Sequence, residues 1–252
     1  MEGDLRTLVA EREPELVVAS GDLTHRNLAA QHARAAELLR SLGRPLLVIP
    51  GNHDIPRWPP WRFTRTFDEF RRVWPELEPV YRSERLVVCG LNSVRPWKQQ
   101  GGALRRSQLE HARRILAEAP AGALRMVAVH HHLLGAPWRT AKRTIANRSH
   151  VLGALVDAGA ELIVSGHVHQ SAASERREFE VVAGEVHGTT VATAPGLGQP
   201  RPKRRGEARG LHLFEIDESS IRVFTYAWAE HQWAQIADRR FPRGREPLAT
   251  VG

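Results

Sequence analysis

Residues able to bind a metal ion follow four short apolar segments of this sequence. The segments are 16–20, 46–49, 126–129 and 162–165, and they are followed by Gly21-Asp22, Pro50-Gly51-Asn52-His53-Asp54, His130-His131-His132 and Gly166-His167-Val168-His169. Carboxylate and amide oxygens mixed with imidazole nitrogens, without a thiolate, suit Mn, Fe, Zn or Co better than a structural zinc cage. The glycines allow sharp turns of the backbone that bring these side chains inward. The pattern predicts a catalytic transition-metal site.

The elements that would position these residues alternate along the chain. Short β-branched apolar runs are typical of strands buried on both faces, and amphipathic segments between them are typical of covering helices. The pattern predicts strands at 16–20, 46–49, 86–91, 126–129 and 162–165, and helices at 4–12, 27–42, 67–74, 107–118 and 149–158. Ser107 and Glu110 have the spacing of a capping box. Ligands of open α/β sheets bind at the carboxyl ends of strands, so we expect the candidate ligands to converge.

The C-terminal third has a different pattern of predicted elements. Strands are predicted at 189–194, 211–216 and 221–228 with no helix between them, as in an antiparallel set that completes a second sheet. The basic segment 200–206 is interpreted as a solvated loop. Residues 239–252 are rich in Arg, Pro and Gly and are predicted to form a flexible tail after a single domain at 1–238.

Composition limits the class of protein. The chain has 252 residues, 42% of them hydrophobic, which is typical of a folded globular protein. Its one cysteine, Cys89, lies in an apolar run and is predicted to be a buried thiol. No segment reaches the about 20 apolar residues of a membrane span and the first residues lack signal-peptide features, so a cytoplasmic protein without a membrane partner is expected. The net charge is +8, but only three basic residues are lysine, so the charge is weak evidence for a nucleic-acid partner.

The motifs that follow the strands, in this order, resemble those of the calcineurin-like metallophosphoesterases. The similarity extends through Gly90-Leu91-Asn92-Ser93 and Thr193-Ala194-Pro195-Gly196, and it is greatest to the bacterial class III cyclic nucleotide phosphodiesterases. The resemblance implies an α/β fold, a four-layer αββα sandwich with two mixed β-sheets. It also implies a site for two divalent metal ions bridged by an aspartate.

The resemblance assigns a role to each candidate residue. Asp22 would be the bridging carboxylate, Asn52, His130 and His167 would complete the second metal site, and His169 would bind the first metal. His130 is favoured because it directly follows the strand, His131 stays the alternative, and His132 is assigned to the loop. His53 would donate a proton to the phosphoryl or leaving oxygen, with Asp54 holding its ring.

One family motif is absent from this sequence. The family opens with a strand that ends in Asp-x-His and supplies two further ligands to the first metal, and no such motif precedes Gly21-Asp22. The first site therefore has only Asp22 and His169, and either two ions or one are expected. We interpret the chain as beginning after that strand. The alternative is a variant that uses one metal, borrows ligands or has lost catalysis.

The function expected from the resemblance is metal-dependent hydrolysis of a small phosphodiester, with a cyclic nucleotide as the first candidate. Segments 55–61 and 133–138 could form walls of a substrate pocket, with tryptophans that stack on a base or pack on the sheet. A nuclease of the same fold and a catalytically impaired phosphate-binding protein are the alternatives. The oligomeric state stays open, a homodimer included.

Overall fold

A computed structural model describes residues 1–135, 140–180, 185–198, 207–243 and 245–247, with the backbone alone at 176–180, 185–187 and 245–247. The helices are α1 Glu2–Arg12, α2 Ala29–Arg40, α3 Trp61–Thr64, α4 Asp68–Arg71, α5 Arg106–Ala117 and α6 Arg148–Asp157. The strands are β1 Val17–Ala19, β2 Leu46–Val48, β3 Val80–Arg82, β4 Leu86–Leu91, β5 Leu124–Val129, β6 Leu162–Ser165, β7 Ala172–Glu180, β8 Glu185–Thr193, β9 Gly210–Ile216, β10 Ser220–Ala229, β11 Gln232–Pro242 and β12 Arg245–Pro247.

The strands of the described residues form three hydrogen-bonded groups. A mixed sheet has the order β12-β8-β6-β5-β4-β3, with β7 paired to β8. Its centre, from β4 through β5 and β6 to β8, is parallel. The second layer holds a parallel pair, β1-β2, and an antiparallel set with the order β11-β10-β9.

Successive side chains of β5 lie alternately in two apolar clusters, and this shows how the layers stack. Val127 lies in the apolar cluster that also contains the buried residues of α5 and α6. Its neighbours Met126 and Ala128 lie in a second cluster with Ile49 of the second layer and Val223 of β10. A third cluster joins the buried residues of α1 and α2 to the β2 side of the second layer. The order helix, sheet, sheet, helix confirms the predicted αββα sandwich.

Most predicted elements are present, with shifted ends. Helix α5 begins at Arg106, so the capping box predicted from Ser107 and Glu110 is wrong. Gln108 takes the reciprocal role instead, since its Oε1 accepts a hydrogen bond of 2.8 Å from the Arg105 N–H. The helix predicted at 67–74 shortens to α4. Strands β3, β7, β11 and β12 were not predicted; β11, for example, is largely polar and exposed.

Several predictions concern segments that the structure describes only in part or not at all. Strand β11 extends to Pro242 and β12 pairs with β8, so the tail predicted at 239–252 overlaps two strands. Residues 248–252, the basic segment 200–206 and residues 136–138 lie outside the described residues. Leu133 and Leu134 belong to the core, which corrects their assignment to a pocket wall. Among the described helices, none is both long and apolar enough to cross a bilayer.

Candidate metal centre

The candidate ligands follow strands that run in parallel pairs. Asp22 follows β1 and Asn52 follows β2, and these strands are parallel neighbours. His130 comes directly after β5, and His167 is two residues beyond β6, its parallel neighbour. Because parallel strands present their carboxyl ends at one edge, each sheet brings two of these side chains to the same place.

The four side chains meet around one ring nitrogen. The Nε2 atom of His130 lies 3.3 Å from Oδ1 of Asp22. It also lies 3.2 Å from Oδ1 of Asn52 and 3.2 Å from Nδ1 of His167. These are four of the five predicted metal ligands, contributed by both layers of the sandwich. His169 is half-buried, and it is not among the residues that contact His130 Nε2 in the described part of the chain.

A backbone carbonyl fixes the far end of three of these four side chains. His130 Nδ1 lies 2.7 Å from the Ser20 oxygen, and His167 Nε2 lies 2.9 Å from the Gln100 oxygen. A carbonyl only accepts, so these nitrogens carry the proton and the opposite ring nitrogens keep a lone pair. Asn52 likewise donates from Nδ2 to the Gln99 oxygen at 3.2 Å. With both rings neutral, the atoms that face the centre are acceptors: Nε2 of His130, Nδ1 of His167 and Oδ1 of Asn52.

One oxygen at the centre has no partner. Oδ2 of Asp22 is buried and makes no hydrogen bond with the described residues. The other oxygen, Oδ1, accepts a hydrogen bond of 2.9 Å from the His53 N–H. An unpaired buried carboxylate oxygen beside three acceptor atoms is unfavourable unless a cation satisfies it. The chemistry of this donor set therefore fits a divalent metal ion.

Protonation of the histidines also fits metal binding. Burial lowers the pKa of His167 and of His169, so both rings are neutral near pH 7 and have a lone pair to offer. Burial opposes the charge of Asp22, but the neighbouring His130 and His53 hold its pKa well below the usual value. Burial also opposes a charge on His130, yet Asp22 raises the pKa of that ring, so a metal ion at this centre would displace a proton from His130. Asp22 is therefore ionised, as a ligand must be.

The three adjacent histidines have different surroundings. Nδ1 of His131 lies 2.8 Å from the Ser93 hydroxyl oxygen. The same oxygen accepts a hydrogen bond of 3.2 Å from the backbone N–H of His131. Its Nε2 is buried without a partner among the described residues, and one nitrogen of its ring lies within 4.8 Å of ligand atoms of His130 and His167. His132 is buried and stacks on His167 with ring centroids 5.8 Å apart. Only His130 of the three contacts both Asp22 and Asn52 in the described residues.

Asp54 occupies a different place from the one expected, whereas His53 contacts Asp22 through its backbone N–H. The His53 ring is partly exposed and stacks on His25, with centroids 5.7 Å apart, and its Nδ1 lies 3.2 Å from the His25 oxygen. Asp54 does not hold that ring. It is fully buried, and its carboxylate accepts hydrogen bonds from the N–H groups of Gly51, Leu23 and Thr24 and from the Thr24 hydroxyl. Burial and the Asp22 charge raise the pKa of Asp54 to about 6.

The backbone at the centre is constrained. Asp22, His167 and His169 have φ of 57°, 68° and 59°, in the left-handed region that non-glycine residues seldom adopt. A Cβ at Gly51 would lie 2.1 Å from the Asp22 nitrogen, so this close approach of the two loops requires glycine. Strained residues of this kind cluster at functional sites, where the surrounding structure enforces them.

Sequence reasoning missed the segment 96–102, which packs against the candidate ligands. Gln99 and Gln100 fix Asn52 and His167 through backbone oxygens, which leave no signature in the side-chain sequence. A Cβ at Gly102 would lie 2.5 Å from Nδ1 of His131, so this segment packs directly on the histidines. The adjacent glycines at 101 and 102 were the one available signal of a close approach.

Comparison with known proteins gives a consistent result. A family model described as calcineurin-like phosphoesterase matches residues 3–171. A probable cyclic nucleotide phosphodiesterase of a Synechococcus species is 30% identical over 173 residues, covering 64% of this chain and 60% of that protein. The 3',5'-cyclic adenosine monophosphate phosphodiesterase CpdA of Haemophilus influenzae is 25% identical over 179 residues, covering 68% of this chain and 60% of its own length. The match thus spans about three fifths of these relatives.

A solved structure extends the likeness of fold beyond the matched region. A dimetal phosphatase from Danio rerio superposes with a TM-score of 0.62 at 13% identity, covering 96% of this chain and 89% of its own. At this identity the similarity concerns the fold alone. It includes the antiparallel C-terminal strands, which lie beyond the region that the family model matches.

Proposed function

The chain belongs to the calcineurin-like phosphoesterase family, and from this we propose that it is a metal-dependent phosphodiesterase for a small substrate. Family membership and the phosphodiesterase names of the relatives support a phosphoester hydrolase. The observation that carries the metal dependence is the gathering of acceptor atoms around His130 Nε2, beside the unpaired buried oxygen of Asp22.

The proposed ligand set follows from the hydrogen bonds at the far end of each side chain. Asn52, His130 and His167 would hold one ion together with Asp22, and His169 with the free oxygen of Asp22 would belong to a second. His130 is preferred over His131 because its proton is committed to the Ser20 carbonyl. The Ser93 hydroxyl can donate to or accept from Nδ1 of His131, and of the two rings only His130 contacts both Asp22 and Asn52 in the described residues.

Divalent cations such as Mn, Fe, Zn or Co would neutralise the phosphoryl oxygens and supply a nucleophile near neutral pH. In the hydrolysis a water oxygen forms a bond to phosphorus while the bond to the departing alcohol oxygen breaks. His53, partly exposed beside Asp22, would give its proton to that oxygen. Asp54 would keep His53 in place indirectly, by joining the Asp22 loop to the Asn52 loop through three hydrogen bonds.

A cyclic nucleotide is the first substrate that we propose. The support is the function of the relatives, of which one is a probable cyclic nucleotide phosphodiesterase and another a 3',5'-cyclic adenosine monophosphate phosphodiesterase. Since the match covers 60% of each relative, the substrate of the whole relative does not transfer by itself. A single domain, extended past residue 238 to include the end of β11 and β12, and a cytoplasmic location remain part of the same proposal.

The test combines metal content with turnover. The purified protein is loaded with Mn²⁺, freed of excess ion and analysed for metal per chain, and it is then assayed with bis(4-nitrophenyl) phosphate and cyclic AMP. We expect bound metal and hydrolysis, both lost in Asn52→Ala and in His130→Ala. His150→Ala, a change of an exposed histidine on α6, is the matched control. Metal binding without turnover of either ester would instead favour the phosphate-binding alternative.

A further inference from the structure

Exposed aromatic side chains are concentrated beside the metal centre. Of the seven large hydrophobic side chains that are exposed in the described residues, four lie in two short segments: Trp58 (64% exposed), Trp61 (54%), Phe63 (55%) and Trp97 (64%). We call these four residues the aromatic rim. Isolated exposed apolar residues are ordinary, but a concentration of large aromatic ones is a mark of a binding surface.

A buried arginine joins the two segments of the aromatic rim. Arg62 is only 6% exposed, and its guanidinium donates to three backbone oxygens. Nε donates to Pro96 at 2.6 Å, one terminal nitrogen to Pro56 at 2.9 Å and the other to Lys98 at 3.0 Å. The two segments are thus fixed side by side, and the indoles of Trp58 and Trp97 stay in solvent although their backbones are held.

The same loop connects the aromatic rim to the metal centre. Trp97 lies two residues before Gln99 and three before Gln100, whose oxygens bind Asn52 and His167. The segment is therefore held at one end by Arg62 and at the other by two candidate ligands. The aromatic rim borders the centre where a phosphoester would react.

Charge at the aromatic rim indicates the chemistry of the occupant. The Arg57 guanidinium lies over the Trp58 ring, 5.1 Å from its centroid, and Lys98 adjoins Trp97. Cations interleaved with aromatic rings suit an anion that carries a ring of its own. We propose that Trp97 and Trp58 bind an aromatic group of the substrate, a nucleobase or an aryl ester, while its phosphate lies at the metal centre. This inference rests on the proposed function, which it deepens by naming the determinants of specificity.

Two esters with the same leaving group test the inference. Bis(4-nitrophenyl) phosphate and methyl 4-nitrophenyl phosphate both release 4-nitrophenol and differ in the group that remains. In Trp97→Ala and in Trp58→Ala we expect kcat/KM to fall about tenfold for the bis-aryl ester, chiefly through KM, and to change less than about twofold for the methyl ester. Trp97→Phe should restore most of the loss. Ile236→Ala, which removes an exposed apolar side chain of β11, is the control.

Other results would overturn the inference. An equal loss with both esters would mean that the tryptophans only support the structure. A dimer that dissociates in the tryptophan variants, measured by sedimentation, would make the aromatic rim an interface between copies of the chain.

A binding experiment separates this inference from the proposed function. If the wild-type protein hydrolyses neither ester, the affinities of AMP and ribose 5-phosphate for the Mn²⁺-loaded protein decide. Tighter binding of AMP that is lost in Trp97→Ala would support the inference while the proposed hydrolysis fails. Equal or absent binding of the two in the wild type would overturn it.

Discussion

Two sheets bring side chains to the candidate metal centre, and the strands of one sheet are more deeply buried than those of the other. His130 and His167 follow β5 and β6, which lie inside the mixed sheet and whose apolar residues are buried on both faces. Asp22 and Asn52 follow β1 and β2, a pair in which all three residues of β1 are only partly buried. The candidate centre thus has two halves. We call the one that follows β5 and β6 the rigid half, and the one that follows β1 and β2 the less buried half. His53, the group proposed to transfer a proton, belongs to the less buried half.

The largest expected effect tests whether His53 of the less buried half is a proton donor and not a metal ligand. His53→Ala should lower kcat by about 10²–10⁴, the range typical of general acid catalysis, because no group replaces the proton donor. The metal content and the denaturation midpoint should stay near those of the wild type, since the His53 ring is partly exposed. Elemental analysis and steady-state kinetics measure this. Loss of metal in the variant would place His53 among the ligands.

Matched valine truncations test whether the two halves contribute differently to the free energy of unfolding. Val127→Ala on β5 removes a fully buried side chain and should cost about 2–3 kcal/mol of unfolding free energy, from lost burial and a cavity. Val17→Ala on β1 removes a partly buried one and should cost less than about 1 kcal/mol. Urea denaturation of both variants gives the comparison. Similar costs would mean that the two halves are equally firm.

The segment 96–102, which anchors Asn52 and His167, gives a third test. In Gly102→Ala the new methyl group would meet the His131 ring, so the loop that anchors Asn52 and His167 must shift. Changes of groups that orient metal ligands typically cost 10–100-fold in affinity or activity, and about tenfold weaker Mn²⁺ binding is expected. Titration with a fluorescent chelator measures it. Gly122→Ala is unsuitable as a control because its φ is 78°, whereas Gly3→Ala on α1 meets nothing.

The smallest effect concerns the rigid half. Cys89 on β4 is fully buried, and burial raises the pKa of its thiol to about 12. The thiol is thus protonated and inaccessible at pH 8, and we expect no reaction with a maleimide until the protein unfolds. The labelling rate in increasing urea should follow global unfolding. Labelling well below the transition would show that the mixed sheet opens locally.

The sequence predicted the rigid half better than the less buried half. Strands β4, β5 and β6 are continuous apolar runs, and the ends of β4 and β6 agree with the predicted ends. The positions of His130 and of the three candidate ligands that meet at it could also be predicted, because each lies one to four residues after a strand. Strand β11 could not, since its polar and exposed residues give no periodic signal of burial.

Roles that depend on the backbone were out of reach of the sequence. The adjacency of His53 and Asp54 suggested a side-chain contact, whereas the turn at Gly51 directs the carboxylate to N–H groups of the Asp22 loop. The anchoring of Asn52 and His167 depends on the oxygens of Gln99 and Gln100, and any residue type supplies such an oxygen. Contacts of this kind become visible only when the fold brings distant segments together.

The position of Arg62 has a consequence for the modularity of this protein. One guanidinium binds oxygens that lie 6, 34 and 36 residues away along the chain, so two segments that are distant in sequence behave as one part. Anyone exchanging specificity between homologous enzymes would have to transplant both segments together with the arginine. Grafting either one alone would leave the two carbonyl contacts between the segments mismatched, and the resulting chimaera would lose the shape that the donor loop was chosen to provide.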